Sequence, residues 1–264
     1  MISVWVEGVE IRGPGLSNWG VSRRILCGMD EYRAEPVVLE APAQLSAAER
    51  RRAIPSVRLA LGVGAGAVEQ SGIDSTGLAA VFASSGADGD TISSILSALA
   101  TNPREVSPTQ FHNSVHNAAS GYWGVAMQSR AAVSSISGYD ASFAVGLLEA
   151  AVQVVSSGQP VLLVAYDVPY PKPLDGVRRI ASSFGVALVL GPSRSARALG
   201  ELGIDRTDKA EGLSRCADDG LEALRGGNPA ARCLPLLAAI AVPTAGTFRL
   251  ALSRGALDIG FRPC

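Results

Sequence analysis

Val133-Ser134-Ser135-Ile136-Ser137-Gly138-Tyr139-Asp140-Ala141-Ser142-Phe143-Ala144-Val145-Gly146 reads as a short strand, a tight turn and the start of an apolar helix. A strand-to-helix elbow of this kind projects its turn residue into a cavity. The helix N-terminus behind it presents free backbone N–H groups that stabilise negative charge. The turn here holds serine and glycine and no cysteine. An ordinary βα unit whose small turn residues serve only geometry fits the same letters, so the surrounding elements decide the reading.

On the C-terminal side the spacing predicts a helix over 142–156 and buried strands over 161–168 and 184–190, joined by the proline-rich loop 169–173. On the N-terminal side it predicts a strand over 78–84 and a helix over 91–100 that Asn102-Pro103 ends. A helix follows from Ser107-Pro108 through Phe111, His112, Val115 and His116 toward Gly121. Further upstream stand an opening strand over 2–11, a short helix over 19–29 and a capping-box start at Ser46 and Glu49. A buried helix then ends near Ser71-Gly72. Gly62-Val63-Gly64-Ala65-Gly66 lacks the lysine and preceding strand of a phosphate loop and is assigned to close helix packing. Beyond Gly191 the pattern predicts a helix over 213–224, an apolar segment over 234–242 and a strand over 247–252. Alternating elements of this kind predict a layered α/β sheet.

The 264 residues are 47% hydrophobic with 29 glycines, as in a densely packed α/β protein. With 23 basic and 24 acidic residues, no global field draws the chain to nucleic acid or anionic lipid. Cys27, Cys216, Cys233 and Cys264 are scattered without metal-ligand spacing, and His112 and His116 are the only histidines. No metal or cofactor is therefore expected, and the cysteine usage points to a reducing, cytoplasmic compartment. No apolar run reaches the length needed to span a bilayer.

The order of pieces resembles the β-ketoacyl synthases of the thiolase fold. The resemblance rests on Val81-Phe82-Ala83-Ser84-Ser85-Gly86, on Val106-Ser107-Pro108 opening a helix with Asn117-Ala118-Ala119-Ser120-Gly121, and on the elbow. Ser142-Phe143-Ala144-Val145-Gly146 fits the family's elbow helix, and 182–190 its glycine-containing strand. The likeness covers 57–190 well. It implies a thiolase-like layered α/β/α fold with a reduced second half. The whole chain, 1–264, is then a single ketosynthase-like domain, with 1–190 like the N-terminal half and 191–264 a truncated remainder. Counting back places Gly138, or Ser137 with a one-residue shift, at the family's nucleophile position. No histidine follows Pro169, so the two that the family's second half supplies are absent.

Shortened, nucleophile-free relatives resemble the chain-length-factor subunits that accompany aryl-polyene-type ketosynthases. The resemblance implies a noncatalytic chain-length factor that pairs with an active β-ketoacyl synthase in aryl polyene or related fatty-acid or polyketide biosynthesis. Its partners are then that ketosynthase, in a heterodimer, and an acyl carrier protein bearing the growing chain. Placement in the family's fold gives a tunnel set of Ile92, Ile95, Leu96, Leu99, Phe111, His112 and Val115. It gives a dimer-interface set of Val133, Ser134, Ser135, Ile136 and His116, and no catalytic residue beyond the vestigial Gly138 or Ser137. Both Gly138→Ala and Ser137→Ala are expected to leave condensation by the complex intact unless the turn distorts. Arg130, Arg178, Arg179, Arg194 and Arg197 are candidates for meeting an acidic carrier or for plain solvated charge. His112 and His116, four apart, are expected to share a helix face.

Two alternatives remain at this point. One is a self-sufficient acyltransferase or hydrolase using an elbow serine, which needs a histidine within hydrogen-bond reach. The other is a homodimeric acyl-binding protein without chemistry.

Overall fold

The computed structural model describes residues 1–86 and 88–264. In chain order the elements are β1 (Ile2–Arg12), α1 (Trp19–Leu26), α2 (Ala47–Arg52), α3 (Pro55–Ser71), β2 (Ala79–Ala83), α4 (Gly89–Leu99), α5 (Pro108–Asn113) and α6 (Ala118–Met127). They continue with β3 (Val133–Ile136), α7 (Ser142–Ser157), β4 (Val161–Asp167), β5 (Phe184–Gly191), β6 (Gly200–Thr207), α8 (Asp219–Gly227), α9 (Leu234–Ala241), β7 (Gly246–Ala251) and β8 (Ala256–Pro263).

One mixed sheet runs through the molecule in the order β3-β2-β4-β5-β1-β6-β8-β7. β4 and β5 are buried along their whole length, which is why they read as unbroken apolar runs rather than alternating ones. Two apolar clusters cover the two faces. On one, Phe143, Leu147 and Val154 of α7 pack with Leu26 of α1, Leu224 of α8 and Leu237 of α9. On the other, Val57, Leu61 and Ala67 of α3 pack with Tyr122 and Trp123 of α6. The result is the α/β/α layering expected of a thiolase-like fold. Residues 191–264 add β6, β8 and β7 to the same sheet.

The glycine run inside α3 is packing, as expected. A Cβ on Gly64 would stand 2.8 Å from the Trp123 ring, and one on Gly66 would stand 2.6 Å from the Glu10 side chain. Ser46 caps α2 by accepting from the Glu49 N–H at 3.3 Å, but the Glu49 carboxylate turns to Arg52 instead of returning to the cap.

Three expectations need correction. The helix over 108–121 is broken: α5 ends at Asn113 and α6 starts at Ala118. Ser114 donates its Oγ to the Phe111 carbonyl at 2.8 Å, and Asn113 Nδ2 donates to the Arg52 carbonyl at 2.9 Å, bonds that compete with helical continuation. His112 and His116 therefore share no helix face. Second, the helix expected over 213–224 starts only at Asp219, where the Asp218 carboxylate caps it by accepting from the Leu221 N–H at 2.8 Å. Third, β6 and β8 add two strands that the reading of 191–264 did not contain. β6 alternates buried and half-exposed residues over 200–204, but its glycines and charges imitate a loop.

Candidate functional site at the elbow

β3 delivers the chain to the turn, and a 3-10 turn over Tyr139–Ala141 leads into α7. Gly138 stands at the head of that turn. A Cβ added there would lie 2.8 Å from Val145 Cγ2 and 3.1 to 3.2 Å from the Ala141 carbonyl group. Val145 is β-branched on a helix and its χ1 is stiff, so it resists swinging aside. Gly138, one of the two positions that the resemblance assigns to a nucleophile, thus leaves a side chain no space unless the turn or Val145 shifts. Its backbone is occupied as well. The Gly138 N–H donates to Ser142 Oγ at 3.0 Å, and that hydroxyl donates to the Tyr139 carbonyl at 2.7 Å. The proviso attached to Gly138→Ala, that the turn itself distorts, therefore applies, because the turn must shift to accept a Cβ.

Tyr139 carries the strain of the elbow, with φ at 56° in the left-handed region. The Arg178 guanidinium lies 3.7 Å above its ring and donates to Asp140 Oδ1 at 2.8 Å. Arg178 is therefore part of the elbow rather than of a carrier-facing patch, whereas Arg130, Arg179, Arg194 and Arg197 are exposed. Beside the elbow, facing β7, lies a cavity of about 190 Å³ that Arg225, Arg232 and Arg249 line together with Ala144, Leu250 and Leu252. Arg225, Arg232 and Arg249 stand 85, 92 and 109 positions from Asp140 in the chain, so spacing gave no signal for them.

Each elbow serine has its own partner. Ser134 Oγ accepts from Gln153 Nε2 at 3.3 Å, Ser135 Oγ bonds to Ser120 Oγ at 3.0 Å, and Ser137 Oγ donates to the Ser85 carbonyl at 3.3 Å. His116 Nε2 sits 3.1 Å from the Ser84 carbonyl, and His112 stands edge-on to Tyr122 at 5.8 Å. No histidine is hydrogen-bonded to these serines among the described residues. The cysteines offer no activated thiol at the elbow: burial pushes the Cys216 thiol up to about 11 and raises that of Cys233, while Cys27 and Cys264 lie elsewhere. Among the described residues, no three His, Cys, Asp or Glu side chains gather to hold a metal.

Behind the turn sits a buried acid that sequence reading missed. Asp167, the last residue of β4, accepts at Oδ1 from the Ser85 N–H at 2.8 Å, from Ser85 Oγ at 2.7 Å and from Ser84 Oγ at 3.1 Å. Its Oδ2 is buried without a partner. Burial outweighs those hydrogen bonds and pushes the carboxyl up to about 6. His116 joins Asp167, Asp88 and Tyr170 around this point, and the Ser84 to which it bonds donates its own N–H to the Ile136 carbonyl of β3.

The remaining sequence-derived residues of α4, α5 and the segment after α5 are largely exposed apolar side chains. α4 packs against α5, which brings most of the tunnel set together. Phe111 is 69% exposed and Leu96 54%, with Leu99 and Val115 also open to solvent and Ile92 and Ile95 half-buried. Phe111, His112, Val115, Tyr122 and Val125 line a groove of about 800 Å³. β3 itself bonds only to β2, and its outer edge makes no backbone hydrogen bond among the described residues. Val133 on that edge is exposed.

The profile for the β-ketoacyl synthase N-terminal domain matches residues 29–223. The chain belongs to this family. The match extends the resemblance over 57–190 on both sides. No curated protein matches it. Among solved structures, the fold of this β-ketoacyl synthase-family chain is similar to a ketosynthase (ApeO) in complex with its chain length factor (ApeC) from Xenorhabdus doucetiae. One chain of that complex aligns at 20% identity and TM-score 0.74, over 99% of this chain and 100% of that one. It is similar to the ishigamide ketosynthase/chain length factor at 11% identity and TM-score 0.71, over 99% of each chain. It also matches a ketosynthase from module 1 of the bacillaene synthase of Bacillus amyloliquefaciens FZB42. There the identity is 16% and the TM-score 0.56, over 82% of this chain but 48% of that one. No described helix is long and apolar enough to cross a membrane.

Proposed function

We propose that this β-ketoacyl synthase-family chain is a noncatalytic chain-length factor that pairs with an active ketosynthase and shapes the tunnel for a growing acyl or polyene chain. The observation that supports this reading is Gly138, which stands where the resemblance puts a nucleophile, carries no side chain for a covalent acyl step, and would bring an added Cβ to 2.8 Å from Val145. The chain acts as one domain, with 1–190 corresponding to the synthase N-terminal half and 191–264 to a pared-down remainder. The ketosynthase supplies cysteine and histidines, and an acyl carrier protein in the cytoplasm delivers the intermediates of an aryl polyene or related product.

The partner reading is supported by the open β3 edge and, separately, by exposed apolar residues on α4, α5 and α6. An unpaired edge offers a row of backbone groups that a second strand satisfies, and Leu96, Leu99, Phe111 and Val125 supply apolar area to bury. Co-expression with a candidate ketosynthase, followed by size-exclusion chromatography and product analysis with malonyl-loaded carrier protein, tests it. A one-to-one complex that elongates only with both subunits is expected, and Val133→Asp should weaken it at least about tenfold. Turnover of an acyl thioester by this chain alone would sink the reading in favour of an elbow serine.

Chain-length control is steric in this account, because an apolar tail stops growing when the next unit meets a wall. Val115 borders both the groove and the Asp167 pocket. Val115→Phe is expected to shorten products while the first condensation proceeds at its normal rate. A product distribution that stays unchanged across substitutions at Ile92, Ile95, Leu96, Leu99, Phe111, His112 and Val115 removes that set from the tunnel.

A further inference from the structure

The cavity beside the elbow holds three arginines and one carboxylate among its lining residues, and the charges are unevenly matched. Arg225 is held by both oxygens of Glu222 at 2.7 Å, and Arg249 by both oxygens of Asp258 at 2.6 and 2.8 Å. Asp140 must serve two guanidiniums. It bonds to Arg178, and Arg232 Nη2 stays 3.8 Å from its other oxygen, beyond hydrogen-bonding distance. Arg232 donates no side-chain hydrogen bond to any described residue, and its Nε is buried without a partner. Its side chain is 29% exposed, so bulk water does not fully replace the missing acceptor. A guanidinium carries five donors in a planar fork that matches a carboxylate.

The rest of the cavity is apolar, with Ala144 of α7, Leu213, and Leu250 and Leu252 along β7 and its exit. A volume of about 190 Å³ accommodates at least about six heavy atoms at the ~30 Å³ that one liquid water occupies. An anionic head next to a short apolar wall is the chemistry of an aliphatic acid. The first turn of α7 adds its partial positive charge on the same side.

We propose that the elbow cavity binds a short aliphatic monocarboxylate, with Arg232 receiving the carboxylate and Ala144, Leu213 and Leu252 seating the hydrocarbon. The site goes beyond the role of the chain as a synthase partner, since it is formed by this chain alone. It turns the place of a lost covalent step into a noncovalent one.

Titrating the full-length chain with sodium hexanoate, hexan-1-ol and inorganic phosphate, read by amide NMR shifts and calorimetry, tests the assignment. Hexanoate is expected to saturate with a dissociation constant on the order of 1 mM, with shifts centred on Ala144 and Leu252. Hexanol and phosphate should each bind at least about tenfold more weakly, because one lacks the charge and the other the apolar tail. Arg232→Gln should weaken hexanoate at least about tenfold with the remaining spectrum unchanged. Equal affinity for the alcohol, equal affinity for phosphate, absence of saturation by hexanoate, or full affinity in a folded Arg232→Gln protein each overturns the proposal. The comparison of the three ligands needs no variant, so a misfolded substitution leaves the test intact.

Discussion

Gly138→Ala is expected to lower the stability of the chain by about 1–3 kcal/mol, the range for forcing an extra carbon into a packed site. The new Cβ meets Val145 Cγ2 at 2.8 Å, inside van der Waals contact, with the Ala141 carbonyl group closing the other side. Gly138→Cys should cost at least as much and should neither capture an acyl group nor restore condensation to a complex whose ketosynthase cysteine is removed. Ser137→Ala is the control. Ser137 is exposed and its hydroxyl makes one 3.3 Å bond to the Ser85 carbonyl, so its loss should stay within about 0.5 kcal/mol. Urea unfolding of the three variants measures both. A Gly138→Ala protein as stable as the parent means that the turn has space for a side chain, and the geometric case against a nucleophile fails with it.

Asp167→Asn should change how stability depends on pH. The carboxyl rises from an ordinary value of 3.8 to about 6 in the folded chain because burial disfavours its charge. Between those two values the unfolded chain has already released the proton that the folded chain still holds. Stability therefore falls as pH rises through that window, and above it the loss totals about 3 kcal/mol. The groups around it act in both directions. Arg178 favours the charged form, while burial, with Asp167 and Asp88 adding to it, raises the phenol of Tyr166 next to it. Asparagine keeps an Oδ1 acceptor for Ser84 and Ser85 and removes the titration. Its amide also brings two new donors into the site, so the slope rather than the absolute stability is the readout. Denaturant midpoints measured from pH 4 to 8 should decline in the parent and flatten in the variant by comparison. Parallel curves would show that Asp167 ionises normally in the fold.

The sheet between 57 and 190 was legible because β2, β4 and β5 are apolar runs bounded by Gly and Pro, and because α3 and α7 are apolar along most of their length. Local patterning carries that information. The break after α5 was not legible, since part of its cause is a tertiary bond from Asn113 to Arg52, 61 residues away. β6 and β8 were missed because their small and charged residues suit strands only between their sheet neighbours, β1 and β8 for β6 and β6 and β7 for β8. At the elbow, the absence of a cysteine could be read directly, whereas the reason that no side chain fits required Val145 and Ala141 in place. The arginines and Asp167 belong to the same class of omission. Arg178, Arg232 and the Ser84–Asp167 bonds join residues 38 to 92 apart, and no periodicity marks such meetings.

The two ends of the sheet differ in a way that limits what the chain can build. The outer edge of β7 is stitched to the loop before α8: the Ser214 N–H donates to the Arg249 carbonyl, and the Arg249 N–H donates to Ser214 Oγ. Both backbone groups of Arg249 are thus taken at the middle of that edge, whereas the outer edge of β3 makes no backbone hydrogen bond among the described residues. An added strand meets an obstruction at β7 that it does not meet at β3, and a sheet that extends more readily at one end than at the other favours a closed pair over an endless ribbon.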